Sequence, residues 1–194
     1  MAQGKQAKTL TDRQVGVILK HLETTRWPER NKVMFLLSLK AGLRAKEISN
    51  LTWAMVTDAE GKVGDVIQLE DKASKGKGGR TIPMNRELKA ALLAYQAVDY
   101  RKAGEYVMTS ERANHMAAST IATWFYDLYK GLGYEGCSSH SGRRTFVTNG
   151  AKRIVEAGGS LRDIQQLAGH KSLQTTQKYI EGDSEAKRRV VDMI

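Results

Sequence analysis

Apolar positions near the start of the chain recur at intervals of three and four. Val15, Ile18, Leu19 and Leu22 define one face of a helix running to about Thr25, with Thr11 and Gln14 spaced as a capping box at its start. Pro28 suits the first turn of a second helix, which carries Val33, Met34, Leu36, Leu37 and Leu39 before Gly42 stops it. Arg44 begins a third, whose Ile48 and Leu51 bury one side.

Between Val63 and Met84 the period changes. Two short runs, 65–69 and 80–84, flank a turn rich in glycine and lysine, which predicts a β-hairpin with Lys75 and Lys77 near its tip. Helical spacing then returns. Asn85 caps a long helix with Leu88, Ala91, Leu92 and Tyr95 on one face, and Ser119 or Thr120 opens another through Trp124, Phe125, Leu128 and Tyr129. On this spacing Tyr95, Tyr126 and Tyr129 are packing residues. Three further helices are predicted over 140–156, 161–168 and 173–180, punctuated by Gly158, Gly159 and Gly169. The expected organisation is a mobile basic tail over 1–10, one mixed α/β but mainly α-helical domain over 11–183, and a short amphipathic C-terminal helix over 184–194.

Composition narrows the class of partner. A chain of 194 residues with 41% hydrophobic residues suits a single domain with a full core. The formal net charge of +10 makes a surface that attracts polyanions, with nucleic acid the leading class; the plainer alternative is a basic, solubilising surface. The single cysteine, Cys137, cannot form an internal disulfide and reads as a buried small hydrophobe in a reducing cytosol. The sequence has no 18-residue apolar run, and the polar opening MAQGKQAKTLTDRQ lacks the core of a signal peptide, so a cytoplasmic protein with no membrane partner is expected. It shows neither an internal repeat nor a low-complexity linker.

The chemistry concentrates in the last third. His140 and Arg143 stand three apart in SSHSGRRTF, His170 closes LAGH, and Tyr179 follows nine residues later in TTQKYI. Arg44 in AGLRAKEI and Lys75 in ASKGKGGRTIP complete the set. Arg44 and Arg143 are candidates to grip a phosphate, since guanidinium forks make bidentate contacts and stay charged; each could instead pair with a nearby carboxylate such as Glu47. His140, one turn before Arg143, should share its helical face. Metal binding by His140 and His170 is not expected, because no carboxylate or cysteine stands at ligand spacing. The glycines around Lys75 do not spell a nucleotide-binding loop, which would end in G-K-[ST]. Tyr179 is flanked by polar residues, so its phenol is not expected to be fully buried.

The order and spacing of these pieces resemble the tyrosine recombinase (phage integrase) family, from about Thr11 to the C-terminus. The resemblance implies that family's catalytic-domain fold and a site-specific recombinase that cuts and rejoins double-stranded DNA through a 3′-phosphotyrosyl link, without metal or other cofactor. Tyr179 would be the nucleophile, and Arg44, Arg143 and His170 would hold the phosphorane charge. His140 would assist proton transfer, and Lys75 would protonate the leaving 5′ oxygen, with Lys72 and Lys77 as rivals. Lys77, Arg80, Arg144 and Lys171 are the expected DNA contacts, Arg80 lying in an R-x-x-P strand like the family's. Relatives assemble as tetramers on two DNA sites, and the C-terminal helix could dock on the next protomer. Many relatives carry leucine and histidine where this chain has Gly142 and Arg144. Many also have a separate N-terminal helical domain, while only about ten residues precede the first helix here, so the sequence reads as a catalytic domain alone or a short member. Two other readings share these residues: DNA relaxation of the type IB topoisomerase kind, and a non-catalytic DNA-binding regulator of the same fold.

Overall fold

A computed structural model of the chain describes residues 6–73, 79–99, 104–111, 113–179 and 191–192. Among them the element order is α1 (Asp12–Leu22), α2 (Pro28–Lys40), α3 (Ala45–Ser49), β1 (Val66–Leu69), β2 (Arg80–Pro83), α4 (Arg86–Val98), α5 (Ala118–Gly131), α6 (Ser141–Arg153), α7 (Leu161–Ala168) and α8 (Leu173–Gln177). The two strands form one antiparallel sheet, so the architecture is the mixed, mainly helical one expected. No helix among the described residues is long and apolar enough to cross a membrane.

Helix α2 organises the core. Val33, Met34, Phe35, Leu36, Leu37 and Leu39 are all buried, and a helix apolar around most of its circumference must be covered on most sides. Helices α1, α3, α4 and α6 pack against it. The packing with α6 is close: a Cβ on Gly142 would lie 2.6 Å from Ser38 Oγ, so the glycine lets the two helices meet. Helix α1 starts with the expected capping box, Thr11 N–H donating to Gln14 Oε1 and Gln14 N–H to Thr11 Oγ1. It ends at Leu22, short of Thr25, because the hydroxyls of Thr24 and Thr25 donate back to the carbonyls of His21 and Leu22.

The hairpin pairs Val66 with Pro83, Ile67 with Ile82, Gln68 with Thr81 and Leu69 with Arg80. Alternation buries Ile67, Leu69 and Ile82 on one face. The expected tip residues Lys75 and Lys77, and all of the C-terminal helix except residues 191–192, lie outside the described residues.

Some expectations change. Tyr126 was expected in the core with Tyr95 and Tyr129, yet it is 53% exposed, with the Lys130 ammonium 5.7 Å above its ring. The buried face of α5 is Ile121, Phe125, Leu128 and Tyr129, and the residue next to Phe125 turns about 100° away from it. That helix also begins at Ala118, earlier than Ser119 or Thr120. Cys137 is half-buried. The end of the expected basic tail is held on the domain: Leu10 is buried and its N–H donates to Thr145 Oγ1 at 2.8 Å, while Lys8 N–H donates to the Gly136 carbonyl.

A second, smaller core sits at one end. Val147, Ile164 and Ala168 form it, with Phe146, Leu167 and Tyr179 packed against it. It joins α6 and α7 to the segment carrying the tyrosine.

Candidate active site

Three guanidinium groups converge on one buried carboxylate. Arg44 immediately precedes α3, where its N–H donates to Glu47 Oε2 at 2.8 Å and its Nη1 to Oε1 at 3.0 Å. Arg80, from β2, donates through Nη1 to Glu47 Oε1 at 2.9 Å and through Nε to the Leu167 carbonyl at 2.8 Å. Arg143, in the first turn of α6, donates to the carbonyls of Gly42 and Ala168 and lies 3.9 Å from Glu47 Oε2. Side-chain exposures of 2% for Glu47, 9% for Arg80 and 5% for Arg143 show the cluster is buried, while Arg44 remains 39% exposed.

Burial of Glu47 favours its neutral form, but the hydrogen bond and charge of Arg80, with the backbone and charge of Arg44, outweigh it and hold the carboxyl below its ordinary value. Burial, with Arg44 adding to it, pulls Arg143 down to about 10, so it remains charged at neutral pH. One negative charge against three positive leaves an excess of two positive charges beneath an open cleft. Such a floor calls for an anion. In the sequence Glu47 reads only as a carboxylate that could occupy an arginine. Its position three after Arg44 on a helix was the signal for its role.

Arg80, expected to contact DNA, is turned inward instead. Its fork is committed to Glu47 and the end of α7, which ties the hairpin to the site. Replacing Glu47 by Gln should therefore destabilise the fold by about 3–5 kcal/mol, because buried guanidinium groups lose their counter-charge. Urea unfolding of the two proteins measures it, and a loss below about 1 kcal/mol would show that the arginines do not depend on the carboxylate.

The cleft above has a volume of about 480 Å³ and is lined by Arg44, His140, Arg143, Arg144, His170 and Tyr179, together with Gln6, Ala7, Ser138, Thr175 and Lys178. Five of the six expected catalytic residues are thus brought together from four separate stretches of chain. The sixth, Lys75, lies outside the described residues. His140 is the residue before α6, not part of the helix itself, and is exposed, with its N–H donating to Ser138 Oγ. It and Arg143 nevertheless reach the same cleft.

Gly169 closes α7 in the left-handed conformation, φ 61°, and turns the chain so that His170 faces back. The imidazole is largely buried, its Nδ1 2.9 Å from Thr176 Oγ1 and its ring stacked on Tyr179 with centroids 5.7 Å apart and planes 16° apart. Burial, then the charges of Arg143, Arg44 and Arg80, pull its pKa down to about 4, so it is neutral at pH 7. Between about 6.5 and 4 the unfolded chain binds a proton at His170 that the folded chain refuses. Stability should therefore fall as pH is lowered through that window, and His170→Gln should remove that part of the slope. Urea midpoints at pH 7 and pH 5 check this; an unchanged slope in the variant would show that His170 titrates alike in both states.

Tyr179 is half-buried, its ring also facing the Arg144 guanidinium at 5.7 Å. The buried phenols fit attack less well: burial pushes Tyr95 up to about 12 and Tyr129 higher still. Arg144 donates to Gln6 Oε1 from the cleft wall. Lys171 is exposed outside the cleft, whereas Lys178, which the sequence did not single out, lines it. Among the described residues, no three His, Cys, Asp or Glu side chains cluster so as to hold a metal ion.

Comparison with known proteins decides the family. The model of the phage integrase family matches residues 8–186. The chain belongs to that family. It is 31% identical over 179 residues to the tyrosine recombinase XerC of Rickettsia canadensis, covering 89% of this chain and 55% of the relative. It thus spans about half the length of that relative. The fold is similar to that of XerA recombinase, with a TM-score of 0.74, 25% identity, and coverage of 97% of this chain and 65% of the other. It also matches the Tn1549 transposon integrase, solved with a circular intermediate DNA, at a TM-score of 0.74, 19% identity, and coverage of 98% and 67%. The tyrosine recombinase catalytic-domain fold implied by the motifs is therefore the fold of this chain.

Proposed function

We propose that this chain is the catalytic domain of a site-specific DNA recombinase that breaks and rejoins strands through a 3′-phosphotyrosyl intermediate. The observation that carries the reading is the cationic floor of Arg44, Arg80 and Arg143 around Glu47, with Tyr179 at the edge of the cleft above it. DNA as partner is supported by the solved relatives that carry it and by the excess of basic residues.

In the reaction the Tyr179 oxygen forms a bond to the scissile phosphorus and the bond to the 5′ oxygen breaks. The phenol's proton passes to His140, and Lys75 supplies a proton to the departing 5′ oxygen. Charge on the non-bridging oxygens is held by the free donors of Arg44 and Arg143 and by His170, groups already fixed before the phosphate arrives. Rejoining reverses the sequence: a 5′ hydroxyl attacks the phosphotyrosine and releases the phenol. The bond energy is retained in the intermediate, so the step requires no high-energy cofactor. Arg144, Lys77 and Lys171 contact flanking phosphates, and four protomers act on two sites.

A duplex nicked just beyond the scissile phosphate tests the reading. Loss of the short leaving strand should trap protein on DNA as a denaturant-resistant adduct, and peptide mapping should place the link on Tyr179. Reversible duplex binding without any adduct would favour the regulator reading instead.

A further inference from the structure

We propose that Thr176 is a positioning residue, fixing His170 in the tautomer that carries its proton on Nε2 so that the imidazole offers an N–H donor to a phosphate oxygen in the cleft. The proposal rests on the phosphoryl-transfer reading and deepens it. A neutral imidazole has one donor and one acceptor nitrogen, and whatever partners the first decides what the second presents. Here Nδ1 lies 2.9 Å from Thr176 Oγ1. Two arrangements satisfy that distance. Either the hydroxyl donates to a bare Nδ1 and the proton sits on Nε2, or Nδ1–H donates to the hydroxyl and Nε2 turns a lone pair toward the phosphate.

Burial decides between them. Thr176 is 0% exposed, so its hydroxyl proton cannot be given to bulk water. Among the described residues its only hydrogen-bond partner is His170 Nδ1. The second arrangement would leave a buried O–H without an acceptor, which is unfavourable. In the first arrangement both groups are satisfied. The remaining nitrogen then carries the proton, and the cleft, which His170 lines, receives a donor.

Thr176 also holds the nucleophile's segment. Its carbonyl accepts the N–H of Tyr179 at 3.1 Å, and the two rings whose positions it sets stack on one another. One buried residue therefore orients the anion donor through its side chain and the attacking residue through its backbone. The side-chain part can be removed alone, because valine has the shape of threonine without the hydroxyl.

The test uses Thr176→Val, Thr176→Ser and His170→Ala, with Thr176→Ala as a second hydroxyl-free variant should valine prevent folding. Nitrogen-15 spectra of histidine-labelled protein without DNA should show His170 protonated on Nε2 in the wild type and in Thr176→Ser, and a mixture of tautomers in Thr176→Val. Single-turnover cleavage of the nicked duplex should slow by about ten-fold in Thr176→Val, the scale of one lost hydrogen bond, and stay near wild type in Thr176→Ser. In a His170→Ala background the valine change should add nothing, since the residue acts through the histidine. An unaltered tautomer in Thr176→Val, or an equal slowing with and without His170, would overturn the proposal. Absence of any adduct from the wild type would overturn the recombinase reading instead, and the spectra would still decide the role of Thr176.

Discussion

Tyr179→Phe should abolish covalent attachment to nicked DNA while leaving duplex affinity within about two-fold, since phosphate contacts supply most of such affinity. The substitution removes one oxygen from a ring that is already located by contacts the hydroxyl does not make. The ring stacks on His170, faces the Arg144 guanidinium and rests against the cluster of Val147, Ile164 and Ala168. Phenylalanine keeps all of these, so fold and cleft should persist and only the nucleophile should be lost. Denaturing gels after incubation with the trapping duplex measure the first part and fluorescence titration the second. A denaturant-resistant adduct formed by Tyr179→Phe would remove Tyr179 from the mechanism and direct attention to another tyrosine.

Arg143→Ala should slow cleavage by at least about 100-fold, the scale seen when one preorganised donor to a transition-state anion is deleted. Arg143→Lys should recover little of it. The structure gives a reason beyond the loss of a bidentate fork. The guanidinium spans the carbonyls of Gly42 and Ala168 and thereby bridges the loop before α3 to the end of α7, while its remaining N–H groups stay available to the cleft. An ammonium is a compact charge on a flexible stem and cannot bridge both carbonyls while also facing a phosphate. Because the bridge also holds elements together, circular dichroism and urea midpoints of both variants must accompany the kinetics. A folded Arg143→Lys protein that cleaves at nearly the normal rate would make the residue structural.

Much of this molecule is legible along the chain because its signals are local. Capping at Thr11 and Asn85, proline at the start of α2 and the apolar stripe of α4 each depend on residues within a few positions, and the helices they predict are present. The candidate residues were recognisable because their types, order and spacing, from Arg44 through His140, Arg143 and His170 to Tyr179, resemble the motifs of the phage integrase family. Residues whose roles rest on distant partners could not be read this way. Arg80 resembles a surface cation in sequence, but Glu47, 33 positions earlier, draws it inward. Thr176 is one polar residue among several, and only the turn at Gly169 brings His170 to its hydroxyl. Tyr126 lies one residue beyond Phe125 on α5, about 100° around the helix from the buried face of Ile121, Phe125, Leu128 and Tyr129, and so faces outward.

The sequence by itself determined the types and order of the elements, the basic character of the surface, and the chemical identity of the groups available to a phosphate. These follow from backbone preferences, periodicity and side-chain chemistry, which act over a few residues. Only the tertiary structure decided that three arginines share one carboxylate, that the excess positive charge lies beneath a cleft, and that the tyrosine ring is held by histidine and arginine at its edge. Those are facts about desolvation and distance between parts of the chain remote in sequence. The energy of a buried charge depends on what surrounds it in space, and that is fixed only when the helices pack.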